Sequence, residues 1–421
     1  MNFARMAATV AAATLLMLAG CAAPSPDDSE SKVPPPAPAP VAPEPAPAAP
    51  SPPPLPPAPF TAAIERAGDK LFAAGTTNLG VTTRVLVIDP LIDGASGQQT
   101  AGTVQLGERL AAIVKARYPM WTVQPLTREA LGAKPLLPIG TLTPINTTNT
   151  VNEVADAFRI CLRLIDLRNG RVVARHLDRA TVDSVDAEPT RFFRDSATWH
   201  RGKAVSGYIK SCHATAIGDP IDPDYLRGLP AAAVLNEALA AYSANRLRDA
   251  YRLYRSAAEL AEPDDLRVLN GQYLTSWRRG RHTEAAGVFD KIVQAGLDAN
   301  NLSLKLLFAP GSTRLLASGD LPAQYTMWLR TVGKRSSAGD DCLRVVGHSS
   351  RTGTAAVNEE LSQRRAEAVR RRLEASAPKL RKRIAAEGMG WRQNLIGLGT
   401  DDLRDALDRR VEFRVVPCPV G

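Results

Sequence analysis

Residues 33–59 are almost wholly proline and alanine, and that tract fixes how the rest of the chain can be organised. Proline locks φ and has no amide hydrogen, so neither a helix nor a sheet ladder can run through it. The expected conformation is an extended polyproline-like spacer. At about 3.1 Å per residue it could reach about 80 Å. The tract divides the 421 residues into a short N-terminal stretch and a remainder long enough for two or three folded domains. Apart from it the composition is globular, with 44% apolar and 23% charged residues.

The N-terminal stretch has the pattern of a cleaved leader. Arg5 precedes an apolar run over residues 6–18, too short for a stable membrane span, which needs about 20 apolar residues. The run ends in Leu18-Ala19-Gly20-Cys21, which resembles the bacterial lipobox. Small residues ahead of a cysteine suit a peptidase that cuts before a thioether-linked diacylglycerol. Cys21 is therefore the expected lipidation site, and two or more acyl chains give lasting attachment. Ala22 follows where an aspartate would signal inner-membrane retention, which favours the outer membrane.

The formal charge of +9 falls by one when Arg5 leaves. Such an excess permits contact with anionic surfaces, while a periplasmic location argues against nucleic acid as a partner. With Cys21 committed to lipid, Cys161, Cys212, Cys342 and Cys418 remain, two in each half of the folded region. In an oxidising compartment the economical pairing is Cys161–Cys212 and Cys342–Cys418, the alternative being buried free thiols.

Three folded segments follow. In the first, residues 83–89 read as a buried strand, 105–118 as an amphipathic helix, and 121–125 and 137–142 as strands. Residues 158–167 and 172–176 flank Asn169-Gly170, a hairpin signal. In the second, residues 245–254 align with residues 280–289, an offset of about 35 residues close to the tetratricopeptide period. Ala250 matches Ala285 and Tyr254 matches Phe289, the small and aromatic positions where helix pairs interlock. Two such hairpins could offer a concave face to a partner or serve as a helical spacer.

The third segment carries the chemistry. Residues 343–348 read as a strand entering the turn Ser349-Ser350-Arg351-Thr352-Gly353, with a helix expected from Asn358 as N-cap. Residues 408–415 read as the closing strand. On the helical wheel Arg365 falls on the apolar face with Leu361 and Val369. A buried guanidinium requires an anion or several carbonyls. Its mate is either an internal acid (Asp401, Asp402, Asp408 or Glu412) or a ligand.

Gly347-His348-Ser349-Ser350, Gly353, Asn358, Leu361-Ser362-Gln363-Arg364-Arg365-Ala366, Gly388-Met389-Gly390 and Asp408-Arg409-Arg410-Val411-Glu412 together resemble the OmpA-like C-terminal domain, over about a quarter of the chain. The resemblance implies a βαβ-type periplasmic module that binds peptidoglycan non-covalently. It implies that Arg365 pairs with the diaminopimelate carboxylate and that the position of Ser350 holds the ammonium, with Asn358 and Arg410 as further ligand-binding positions. The family has an aspartate where this chain has Ser350. A neutral hydrogen bond contributes about 1 kcal/mol against about 1.5–3 for a charge-assisted one, so the exchange implies roughly tenfold weaker binding unless Asp401 or Asp402 substitutes.

The expected fold class is therefore α/β and α+β multidomain. Residues 1–20 are read as a signal peptide and 21–60 as the lipidated N-terminus and linker. An α/β periplasmic domain is expected over 61–228, tetratricopeptide-like helices over 229–302 and the OmpA-like βαβ domain over 303–421. Nothing points to an enzyme, a cofactor or a metal: paired carboxylates at telling spacing, a nucleophile elbow and a Cys/His cluster are all missing from the sequence. His348 beside Ser349 reads as a turn residue, since adjacent residues cannot align nucleophile, base and orienter. The expected partners are the outer membrane, peptidoglycan and an unidentified envelope protein. The alternative is an assembly or regulatory adaptor whose OmpA-like domain no longer binds diaminopimelate.

Overall fold

The computed structural model describes residues 55–146, 155–198, 201–309, 311–400, 402–405 and 407–418. Arg5, Cys21, His200, Asp401 and nearly all of the proline-alanine tract lie outside these residues. The fold is mixed α/β with two sheets, in agreement with the expected class.

The first sheet forms from α1 (Phe60–Leu79), β1 (Arg84–Val87), β2 (Ile92–Asp93), α2 (Ala101–Arg117), β3 (Trp121–Gln124), α3 (Arg128–Gly132), β4 (Leu136–Ile145), β5 (Ala157–Asp166) and β6 (Arg171–Thr181). Its strand order is β3-β1-β4-β5-β6, with β2 on β4. The helix expected at residue 105 begins at Ala101, because Thr100 and Thr103 cap its first turn reciprocally. At the Asn169-Gly170 turn the glycine takes φ 67°, as the β5–β6 hairpin requires. A buried Arg84–Asp166 ion pair of 2.6 Å joins β1 to β5. One face packs Phe72, Leu110 and Phe158 under α1 and α2. The other meets α5 (Lys203–His213), which follows the short α4 (Arg191–Asp195), and the Cys161–Cys212 disulfide ties β5 to α5.

Four helices come next, α6 (Pro223–Ser243), α7 (Leu247–Ala258), α8 (Leu266–Arg278) and α9 (His282–Asp298), each packed on its successor. Ala250, Tyr254, Ala285 and Phe289, the positions paired by the internal alignment, are all fully buried. Gly271 lets α8 approach α7: a Cβ there would lie 2.1 Å from the Tyr254 ring.

The second sheet comprises β7 (Leu302–Leu304), β8 (Cys342–Gly347), β9 (Ile384–Gly388) and β10 (Val411–Val416), in the order β7-β10-β8-β9. α10 (Leu321–Ser336) precedes β8, and α11 (Ala355–Ser376) is the crossover to the parallel strand β9. α11 starts three residues before the expected cap. Thr354 is its N-cap, accepting from the Val357 amide, and Asn358 lies inside the first turn. The Cys342–Cys418 disulfide closes the edge where Val416 pairs with Cys342, the end of the sheet opposite the turn after β8.

This sheet shares its core with the helices before it. Trp328 of α10 stacks on Phe289 of α9 at 5.6 Å and donates from Nε1 to the Tyr273 hydroxyl at 2.8 Å. A bridge between Thr198 and Leu304, with the Lys305 amide donating to the Ala197 carbonyl at 3.0 Å, joins β7 to the chain after α4. Among the described residues no helix is long and apolar enough to cross a membrane.

Candidate functional site

The site lies at the carboxyl end of β8, where helix and sheet touch backbone to backbone. A Cβ on Gly347 would sit 2.3 Å from the Ser362 carbonyl, and one on Gly388 would sit 2.4 Å from the Gln363 nitrogen. Only glycine allows α11 to lie this close. The Ser362 hydroxyl accepts from the Gly390 amide at 2.8 Å, and the Ser349 amide donates to the Gly390 carbonyl at 2.9 Å. The His348 amide donates to the Arg410 carbonyl at 3.0 Å. The turns after β8 and β9 and the start of β10 are thereby locked together.

Ser350 in the turn after β8, and Asn358 and Arg365 on α11, are all buried. Asn358 donates from Nδ2 to the Thr352 and Thr354 carbonyls at 2.8 and 3.1 Å, so it closes the turn that carries Ser350. The Arg365 Nε donates to the Ser312 carbonyl at 3.1 Å, and its guanidinium carbon lies 4.9 Å from the centre of the Phe308 ring. Phe308 and Ser312 belong to a stretch that folds back on itself after β7, pairing Phe308 with Leu315. Sequence reading missed this stretch, although the alternation Leu302, Leu304, Leu306 was a strand signal.

Of the acids weighed as mates for Arg365, Asp401 lies outside the described residues, and Asp402, Asp408 and Glu412 have other partners. Asp408 accepts from the amides of Leu395, Ile396 and Gly397 at 2.6, 3.0 and 2.9 Å. Its burial pushes the carboxyl up to about 6 despite those bonds. Asp402 is held below the usual carboxylate range, chiefly by hydrogen bonds from Arg404. Glu412 binds Arg410 and Arg414, each at 2.8 Å, and its Oε1 lies 3.5 Å from the His348 Nε2. Burial opposes ionisation of Glu412, yet His348, Arg410 and Arg414 together keep it well below its ordinary value. Burial likewise opposes charge on His348 and lowers it from its ordinary value, against the pull of Glu412.

Arg410 is not brought together with Arg365. It alternates with Val411 and Phe413, which face α11, so it lies on the other face of the sheet. There Glu412 and the Gln393 carbonyl, at 3.1 Å, hold it. Ser350 thus sits in the turn that Asn358 closes, Arg365 packs against Phe308 and Ser312, and Arg410 lies across the sheet from them.

Residues 307–406 match the model of the OmpA family. The chain contains an OmpA-like domain. Among solved structures, the chain is similar to the peptidoglycan-associated lipoprotein from Burkholderia pseudomallei, at 25% identity, covering 27% of this chain and 89% of that one with a TM-score of 0.23. It is also similar to the cell wall anchor of the T6SS from Pseudomonas aeruginosa, at 24% identity over 28% of this chain and 80% of that one, TM-score 0.23. The periplasmic domain of Helicobacter pylori MotB is 16% identical over 28% of this chain and 74% of that one, TM-score 0.24. No curated protein matches the chain.

Proposed function

We propose that this protein is a non-enzymatic outer-membrane lipoprotein. Cys21 carries the lipid, the proline-alanine tract spans toward the cell wall, and the OmpA-like domain binds peptidoglycan non-covalently. The first sheet and the helices α6–α9, read as tetratricopeptide-like hairpins, recruit a periplasmic protein partner. The observation that carries the reading is the OmpA-family match over residues 307–406, with Arg365 of α11 buried against Phe308 and Ser312. A guanidinium is a planar fork that matches the geometry of a stem-peptide carboxylate.

The test is sedimentation of the purified chain with isolated sacculi. Arg365→Ala is expected to weaken binding at least tenfold, from the loss of a charge-assisted pair of about 1.5–3 kcal/mol. Sedimentation that is absent, or that survives the substitution unchanged, refutes wall binding through this site. Ser350 favours a second reading. With no carboxylate at that position, the domain serves as a platform and the chain acts as an assembly or regulatory adaptor. Crosslinking from α6–α9 in intact cells that captures one stoichiometric envelope protein, together with failure to sediment, selects the adaptor.

A further inference from the structure

Away from that site, a cleft of about 590 Å³ opens where α4, α8, α10 and the stretch after β7 converge. Its volume is in the range of ligand pockets, which favour such junctions. Leu274, Trp277, Leu321 and Trp328 give it apolar walls. Arg191, Arg194, Arg278 and Lys305 line it with positive charge, against Asp195 and Asp320.

Lys305 is the decisive group. It is the residue immediately after β7 and is only 8% exposed. The ammonium donates to the main-chain carbonyls of Phe193 and Arg194 at the end of α4, the latter at 3.0 Å. An ammonium has three N–H donors, and the third finds no acceptor among the described residues. Asp195 is the acid that favours its charge, but Asp195 also accepts from the Tyr242 hydroxyl at 2.8 Å and faces Arg278 and Arg191 at 3.7 and 3.8 Å. Asp195 is thus shared by three cations, and with Arg194 and Asp320 the cleft holds four cations against two acids. Burial accordingly lowers Lys305 to about 7.

We propose that this cleft binds a small amphipathic anion, its acidic oxygen head on Lys305 and the neighbouring arginines and its apolar body along Leu321 and Trp328. The head completes the third donor of the ammonium, and the walls bury the body. Binding is coupled to proton uptake, because an anion favours the charged form of an amine that is largely neutral above pH 7. The charged groups facing Lys305 are Arg191, Arg194 and Asp195 on α4, Arg278 on α8 and Asp320 ahead of α10.

The test is calorimetric titration of the purified chain with decanoate, decyl phosphate, acetate and 1-decanol. Saturable binding of decanoate or decyl phosphate is expected, at least tenfold tighter than acetate or decanol, and the stronger of the two names the head group. Lys305→Met should weaken it at least tenfold and Arg278→Gln a few-fold. Should Lys305→Met fail to fold, the unmutated protein still decides. At pH 8, titrations in two buffers of different ionisation enthalpy should show net uptake of a proton. Decanol binding as well as decanoate, acetate binding as well as decanoate, binding without proton uptake, or no binding at all would each overturn the proposal.

Discussion

The two sheets solve the same packing problem in different ways. In the first, β4, β5 and β6 run for 10, 10 and 11 residues, and long antiparallel ladders, with one register shift at Leu164/Ile165, align them. It pairs buried Asp166 with Arg84 and buried Asp178 with Arg66, and it satisfies the buried Arg163 of β5 with the Leu162 and Thr215 carbonyls. In the second, β7 to β10 run for only 3, 6, 5 and 6 residues, and the ends are held by glycine contacts and turn hydrogen bonds. A long ladder spends its polar groups on itself. A short one gathers them at strand ends, where a ligand can reach them, and the second sheet is where the candidate site lies.

The largest effect should come from the glycine contact. Gly347→Ala is expected to cost at least about 4 kcal/mol, since its Cβ would strike a helix carbonyl rather than a movable side chain. Urea denaturation giving under about 1 kcal/mol would show that the short sheet does not depend on that approach. Next come the crosslinks. Replacing both cysteines by serine, pair by pair, should cost about 4 kcal/mol in either sheet, because closed loops of 51 and 76 residues differ little in entropy. A large inequality in the two denaturation midpoints would mean that one sheet relies on its bond for more than chain restriction.

Two buried acids sharpen the contrast, since burial raises Asp89 and Asp408 alike to about 6. Asp408→Asn should destabilise by about 2 kcal/mol, because one amide oxygen cannot serve three backbone donors. Asp89 accepts from the Tyr225 hydroxyl at 2.6 Å, a bond the amide oxygen of asparagine keeps. Its folded value exceeds the unfolded 3.8, so stability falls as pH rises from about 4 to 6 and stays reduced above that window. Asp89→Asn should thus raise the melting temperature at pH 7.5 and leave it nearly unchanged at pH 4, the only stabilising effect of the set. A lower melting temperature at pH 7.5 would mean that the carboxylate there is needed.

Legibility in the sequence followed the same division. Local signals placed β1, β3, β4 and the β5–β6 hairpin to within a few residues, because alternation and Asn169-Gly170 depend on neighbours along the chain. The start of α2 was hidden in a reciprocal pair of threonines, where a Glu or Gln would have been a clearer capping signal. Motif residues located the turn after β8 and the inward direction of Arg365. They did not reveal Phe308 and Ser312, which lie more than 50 positions from Arg365. Nor did they separate Arg410 from Arg365, because which face of a sheet a residue joins depends on register with strands far away in sequence. Lys305 carried no sequence signal at all. Its burial arises only when α4 ends beneath β7.

The stacking of Trp328 on Phe289 has a consequence for engineering. A domain of this family that ended in a polar outer surface could be exchanged between proteins like a cassette. Here α10 presents a tryptophan shaped to its neighbouring helices, and its indole N–H is already spoken for by Tyr273. Transplanted alone, the domain would expose that ring to water, so a chimera has to carry α8 and α9 along with it.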